Sequence, residues 1–203
     1  MPFIDLVFPV QGGPVPLDHA YLLFSALSRR IPSLHECRDI GVFNLRGAQA
    51  SRGMLHLGNG SLRLRCSTEA AALLLPLTGS PLELAGHKLR LGSPTVYPLS
   101  CPSSLSARVV TFKHAIDEST FRTSTRKFME ALGCVGTPQI GRRRVISIAG
   151  KKVVGFALIV SDLSPQSSVL IQERGLGGRR HLGCGLFLPT RAHPLTDIRH
   201  VAI

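Results

Sequence analysis

Tryptophan is missing from this chain of 203 residues, and only two tyrosines are present. With so few large rings, a single-stranded polymer would not be held mainly by bases stacked on aromatic side chains. Acidic residues are also scarce. Twelve Asp and Glu stand against 24 Lys and Arg, giving a formal net charge of +12 and an isoelectric point near 10.6. No lysine occurs before Lys88. The longest apolar runs, such as Ala70–Leu75 and Val153–Val160, fall far short of the ~20 residues that cross a bilayer, so no membrane span is expected. Met1–Val10 lacks a basic start and carries Asp5 inside its apolar stretch, so it does not read as a secretory leader. CxxC and HExxH spacings are absent. The five cysteines, Cys37, Cys66, Cys101, Cys134 and Cys184, are odd in number and widely spaced. That pattern argues against a zinc site or disulfide framework. It favours small buried hydrophobes in a reducing, cytoplasmic setting.

What the chain does have is a core. Hydrophobic residues make up 44% of it and are spread throughout, which excludes disorder as the main state. Its length fits one large domain or two of roughly 100 residues. Lys and Arg are costly to bury, so the basic excess forms a broad positive surface field. Nucleic acid is the commonest partner for such a field; an anionic membrane or a ribosomal environment is the alternative.

The order of elements repeats. Phe3–Pro9 reads as a strand broken by Gly12, Gly13, Pro14 and Pro16. Asp18 is placed to cap a helix to about Arg30, with Ala20, Leu23, Phe24, Leu27 and Ile31 as one buried stripe and Tyr21 off it. Ile40–Leu45, Gly53–Leu57 and Ser61–Cys66 read as extended segments. In the last of these, Arg63 and Arg65 alternate with Leu62 and Leu64 as in a half-exposed strand. A short Ala/Leu helix stops at Pro76, and Leu82–Leu91 and Thr95–Leu99 give a final strand region. Pro98–Ser106 is the linker. Beyond it come a strand at Arg108–Phe112, a helix at Asp117–Leu132 with Phe121, Phe128 and Leu132 inward, and strands at Arg142–Ala149 and Lys152–Ser161 turning at Gly150. A helix capped by Ser164-Pro165 and a strand at Leu186–Leu188 follow. The expected fold class is α+β: tandem ferredoxin-like (RRM-like) βαββαβ domains, residues 1–98 and 107–203, joined by residues 99–106.

Between the last helix and last strand lies Gly175-Leu176-Gly177-Gly178-Arg179-Arg180-His181-Leu182-Gly183-Cys184-Gly185. Five glycines in this stretch would let the backbone approach a ligand, its N–H groups forming an anion-binding concavity, with Arg179 and Arg180 pairing with phosphate. Alternatively, Gly175 is a helix cap and the others a long turn. The loop follows a helix rather than a strand, so it fits neither a dinucleotide fingerprint nor a Walker loop.

The spacing Gly-x-Gly, five residues, Gly-x-Gly before the last strand resembles the glycine-rich loop of the CRISPR repeat endoribonucleases, within the repeat-associated RNA-binding superfamily. Val153–Pro189 and Leu34–Gly47 resemble the myxobacterial-type branch of that family. The resemblance implies cleavage of CRISPR repeat RNA in the precursor transcript, without metal or cofactor. The 2′-hydroxyl attacks the scissile phosphate to leave a 2′,3′-cyclic phosphate and a 5′-hydroxyl. It further implies that the product can remain bound and join subunits of a CRISPR surveillance complex.

Against the family's pattern, His35 is the expected proton-transfer group, in a loop after the first helix. His19 is the next choice as a proton-transfer group, or else a helix-start residue. Tyr21 could orient the 2′-hydroxyl. Where some members use lysine, this chain has none nearby, and Arg38, Arg46 or Arg52 would supply the cation, Arg38 foremost. The expected RNA-binding residues are the hairpin cations Arg142, Arg143, Arg144, Lys151 and Lys152, then the loop residues Gly175, Gly177, Gly178, Arg179, Arg180, His181, Gly183 and Gly185. Arg122 and Arg126 form a helical stripe that Glu130 partly neutralises. His114 ranks as a further RNA contact, and His193 and His200 as tail residues. A non-catalytic RNA-binding subunit of the same superfamily is the alternative function.

Overall fold

The computed structural model describes residues 2–190, so His193 and His200 lie outside the described residues. The chain separates into two compact units. The first takes the described residues up to Leu99 together with two later segments, Ser147–Lys151 and Arg180–Gly183. The second takes Ser100–Ile146, Lys152–Arg179 and the described residues from Cys184 onward. The units therefore differ from contiguous halves.

The first unit contains β1 (Phe3–Gly12), β2 (Val15–Pro16), α1 (Ala20–Arg30), β3 (Gly41–Val42), β4 (Gln49–Ser51), β5 (Met54–His56), β6 (Gly60–Ser67), α2 (Ala71–Leu74), β7 (Pro81–Leu84), β8 (His87–Leu91) and β9 (Thr95–Pro98). Its main sheet runs β3-β6-β1-β8-β7, with β9 also paired to β1. Strands β2, β5 and β4 form a small separate sheet. The expected α1 stripe is buried, with Leu23 and Leu27 packing among Leu6, Phe8, Leu62 and Leu64 of β1 and β6. Asp18 is not the cap of α1. His19 takes that position, and the Asp18 carboxylate instead accepts the Ser147 backbone N–H at 2.8 Å. Pro76 does not end the helical segment either. Leu75–Leu77 continues as a 3-10 turn, whose first turn tolerates proline because its N–H would be unused there. Leu82–Leu91 is two strands, because Ala85 and Gly86 both take positive φ in a tight hairpin turn.

One departure alters the energetics. Arg65, expected on an exposed face of β6, is fully buried. It lies directly across the ladder from Asp5 of β1. Its Nε and Nη2 donate to the Asp5 carboxylate at 2.7 and 2.9 Å, and Arg63 Nη1 donates to the same carboxylate at 2.6 Å. The Arg65 guanidinium also lies 5.3 Å from the Phe43 ring centroid. A buried cation needs such partners, since desolvation otherwise costs several kcal/mol.

The second unit contains β10 (Leu105–Val110), α3 (Glu118–Ala131), all but the joined tips of β11 (Thr137–Ile148) and β12 (Lys151–Ser161), which go with the first unit, α4 (Pro165–Arg174) and β13 (Leu188–Pro189). Its sheet order is β11-β12-β10-β13. The Asp117 side chain accepts the Thr120 N–H, and Ser164 accepts the Ser167 N–H, so both helices begin at the residues whose chemistry favours it. Strand β10 starts at Leu105, inside the expected linker, and the last strand is short and sits at Leu188–Pro189 rather than Leu186–Leu188. The α3 stripe is Phe121, Thr125 and Met129. Phe128, expected inward, is exposed, its ring touching Phe112 at the rim with centroids 5.6 Å apart. Among the described residues no helix is long and apolar enough to cross a membrane.

Candidate active site

In the first unit, α1 ends at Ile31, and Pro32 turns the chain into a 3-10 turn, Pro32–His35. That turn buries Leu34 and leaves His35 exposed. Phe24, one side of the buried α1 stripe, meets the His35 ring edge-on, with centroids 4.8 Å apart and planes at 73°. Its ring also stacks on His181, with centroids 5.0 Å apart and planes within 5°. The His181 imidazole donates from Nε2 to the Cys37 carbonyl oxygen at 2.8 Å. A carbonyl only accepts, so Nε2 carries the proton. Burial pulls the His181 pKa below its ordinary value, and the charges of Arg180 and His35 pull the same way, against the Cys37 hydrogen bond. His35 ends the 3-10 turn and Arg38 follows three residues on, both exposed, with Cys37 between them. Tyr21 lies one helical turn before Phe24 and is 40% exposed.

His19 is engaged differently. It is buried, its Nδ1 donates to the Pro16 carbonyl at 2.8 Å, and its Nε2 accepts the Leu45 N–H at 3.0 Å. Both nitrogens are spent on main chain, which makes it a structural histidine. His56 pairs with Ser51 at 2.9 Å in the small sheet.

The glycine-rich loop reads differently in three dimensions. Gly175 is the C-cap of α4, with φ 69° and its N–H on Ile171. Gly177 and Gly185 have positive φ, and a Cβ on them would lie 2.4 Å from Thr111 O and 2.1 Å from Leu176 O. A Cβ on Gly183 would lie 2.6 Å from Asn44 Oδ1. These glycines are required by close approach of the protein to itself. Gly178, by contrast, faces open space. The N–H groups of Leu176, Gly178, Gly183, Cys184 and Gly185 donate to protein carbonyls, so the expected main-chain anion cradle is largely closed from within. What the loop presents is side chains. Arg179 is exposed at φ 65°, with Nη1 on Thr111 Oγ1 at 3.3 Å; Arg180 is half-buried; His181 sits on Phe24.

The Cas6 Crispr family model matches residues 4–192. The CRISPR-associated endonuclease Cas6 of Myxococcus xanthus is 60% identical over 189 residues, covering 93% of this chain and 82% of that protein. The chain belongs to the Cas6 family of CRISPR-associated endonucleases. Two solved structures share its mixed α+β fold. A Cas6-related protein from Pyrococcus furiosus superposes with TM-score 0.64 at 14% identity, over 95% of this chain and 99% of that one. Thermus thermophilus Cse3 bound to an RNA representing a pre-cleavage complex gives 0.54 at 15% identity, over 93% and 98%.

The remaining sequence-identified residues are dispersed over this Cas6-family fold. Arg142 and Arg143 are exposed on edge strand β11, while Arg144 is half-buried with its Nε lacking a hydrogen-bond partner among the described residues. Ala149 and Gly150 form the positive-φ turn to exposed Lys151 and Lys152. On α3 the ion pair joins Arg122 to Glu118 at 2.6 Å rather than Arg126 to Glu130. Arg122 and Arg126 line a small cavity of about 160 Å³ with Thr125, Thr137, Pro138 and Ile140. His114 is exposed at φ 65°. Of the cysteines, Cys66, Cys134 and Cys184 are buried, Cys37 is half-buried and Cys101 is exposed, so the buried expectation fails for the last. Burial pushes the Cys66 and Cys184 thiols up to about 11. Sequence reasoning assigned Phe24 to the core alone, and it missed the Cys37 carbonyl. Neither signal exists in the local pattern, because the partners lie in distant segments.

Proposed function

We propose that this chain cleaves CRISPR repeat RNA in the precursor transcript, and that its two units are tandem ferredoxin-like βαββαβ domains. In each unit one sheet sets the second, third and first strands of that pattern side by side, β3-β6-β1 and β11-β12-β10, with later strands beside the first, β8 and β9 in one and β13 in the other. The reaction needs a proton taken from the 2′-hydroxyl, a proton given to the 5′-oxygen, and stabilisation of charge on phosphorus. None of these requires a metal or other cofactor. The products are a 2′,3′-cyclic phosphate and a 5′-hydroxyl.

The observation that carries this reading is His35: an exposed imidazole in contact with Phe24, three residues before the exposed Arg38, in a strongly basic member of an endonuclease family. His35 shuttles the proton, taking it from the 2′-hydroxyl and delivering it to the departing 5′-oxygen, Arg38 offsets charge on the phosphate, and Tyr21 orients the 2′-hydroxyl. Arginine keeps its proton at any working pH, so Arg38 cannot be the base. Arg142, Arg143, Arg144, Lys151, Lys152, Arg179, Arg180, Arg122 and Arg126 supply phosphate contacts, and the mature guide RNA passes to subunits of a CRISPR surveillance complex.

The test is a labelled cognate repeat RNA incubated with the protein in EDTA, beside the same RNA with a 2′-deoxy at the cut site. Cleavage in chelator that disappears with the deoxy substrate is expected. Binding without cleavage would instead make the chain a non-catalytic RNA-binding subunit. The His35→Ala variant is expected to keep RNA affinity and to cleave ~10²-fold or more slowly.

A further inference from the structure

We propose that His181 is a positioning residue for the His35–Arg38 turn, so that the glycine-rich loop serves the chemistry by bracing the imidazole that performs it. The inference rests on the acid–base reading of His35. Two independent contacts carry it. The Nε2–H of His181 is donated to the Cys37 carbonyl, between His35 and Arg38 in the chain. The face of the His181 ring lies flat on Phe24, whose ring also meets His35. Phe24 is thus clasped between two imidazoles, one exposed and one tied to main chain.

The clasp matters because the turn has few other anchors. It is a 3-10 segment whose internal bonds run from Leu34 N to Ile31 O and from Glu36 N to Ser33 O. Its apolar anchors are Leu34, which is buried, and Cys37, which packs against the core. An exposed imidazole on such a turn samples several orientations unless its backbone is fixed, and a displacement of about 1 Å at a reacting group can cost ~10²-fold in rate. The His181 hydrogen bond fixes the carbonyl two residues beyond His35. Leu182, next in the loop, packs against the same core and seats the loop's 3-10 turn, Arg180–Leu182. Gly183 follows with φ 74°, its Cα against Asn44, which lets the chain turn away once His181 is placed.

The experiment is single-turnover cleavage and RNA binding by full-length variants. His181→Ala removes both contacts. His181→Phe keeps a ring on Phe24 but loses the donor. His181→Gln keeps an N–H donor near the Nε2 position. With a hydrogen bond and part of the alignment lost, the alanine and phenylalanine variants are expected to cleave about tenfold or more slowly at saturating RNA, with unchanged affinity. Glutamine is expected to restore most of the rate. In a His35→Ala background the His181→Ala change is expected to have no further effect, because the residue acts through His35. Wild-type rates in the alanine and phenylalanine variants would overturn the proposal. So would a glutamine variant as slow as alanine, which would move His181 into proton transfer itself, or additive losses in the double variant. Full activity of His35→Ala would overturn the reading of His35 and this proposal with it, whereas the other outcomes strike the proposal alone.

Discussion

Replacing Asp5 with alanine would remove the carboxylate that the buried Arg65 guanidinium meets across the ladder. Both side chains are almost fully shielded, at 1% and 4% exposure, whereas Arg63, the third member, is 28% exposed and can turn to water. Removing one partner of a buried pair costs about 3–5 kcal/mol. The Phe43 ring beside Arg65 retains part of the lost stabilisation, which places the expected value near the lower figure. Against a domain stability of about 5–15 kcal/mol the loss is large. It can be read in one unit alone. Tryptophan is absent, and the two tyrosines, Tyr21 and Tyr97, both belong to the first unit, so tyrosine near-ultraviolet circular dichroism follows that unit in urea. With a slope of about 2 kcal/mol per molar, the midpoint should fall by about 1.5 M. The buried Cys184 thiol of the second unit, labelled in the same titration, should become reactive at an unchanged urea concentration. The paired change Asp5→Leu with Arg65→Met should recover most of the loss, since a well-packed apolar pair replaces a buried ionic one at little cost. A midpoint shift for Asp5→Ala within about 0.25 M, the size of an ordinary surface change, would refute the reasoning.

Three further outcomes follow from the site. Arg179→Ala with Arg180→Ala should weaken RNA binding and flatten the log–log salt dependence by about 0.7–0.9 per arginine, and an unchanged slope would remove both from the phosphate contacts. Gly185→Ala, whose Cβ would sit 2.1 Å from Leu176 O at positive φ, should destabilise the second unit by about 2 kcal/mol or more, while Gly178→Ala, facing open space, should leave thermal stability unchanged; equal melting temperatures would contradict the inward role of the loop glycines. Finally, His181 has its folded pKa below 6.5, so the unfolded chain takes up the proton first. Its contribution to stability is complete above pH 6.5 and is lost as pH falls below that value toward the folded pKa. The wild type should therefore lose more stability than His181→Gln between pH 8 and pH 5, and parallel curves would argue against a buried neutral imidazole.

Where structure depends on neighbours in sequence, it was legible. Asp117 and Ser164-Pro165 mark helix starts by side-chain chemistry that acts three residues away, and both caps form. The α1 stripe follows from period alone. Arg65 was not legible, because alternation along β6 says which face it takes but not that Asp5 waits on that face of β1. The glycine-rich loop shows both limits together. Its composition singled it out, yet the reason for its glycines lies in Thr111 and Leu176, and its contact with the turn at Cys37 spans 144 positions. The hydrogen-bonding of His19 to Pro16 and Leu45 was equally hidden, and that geometry adds a physical ground to the order, His35 before His19, that the family resemblance implied.

The first unit is stitched from three stretches of chain, the last of them Arg180–Gly183. During synthesis, then, everything up to Leu99 can emerge and pack while the piece bearing His181 has yet to be made. A nascent chain has the exposed imidazole long before it has the clasp across Phe24. The turn that bears His35 thereby gains its brace only once the segment to Gly183 has been made, and a product truncated just ahead of residue 180 would leave that turn unbraced.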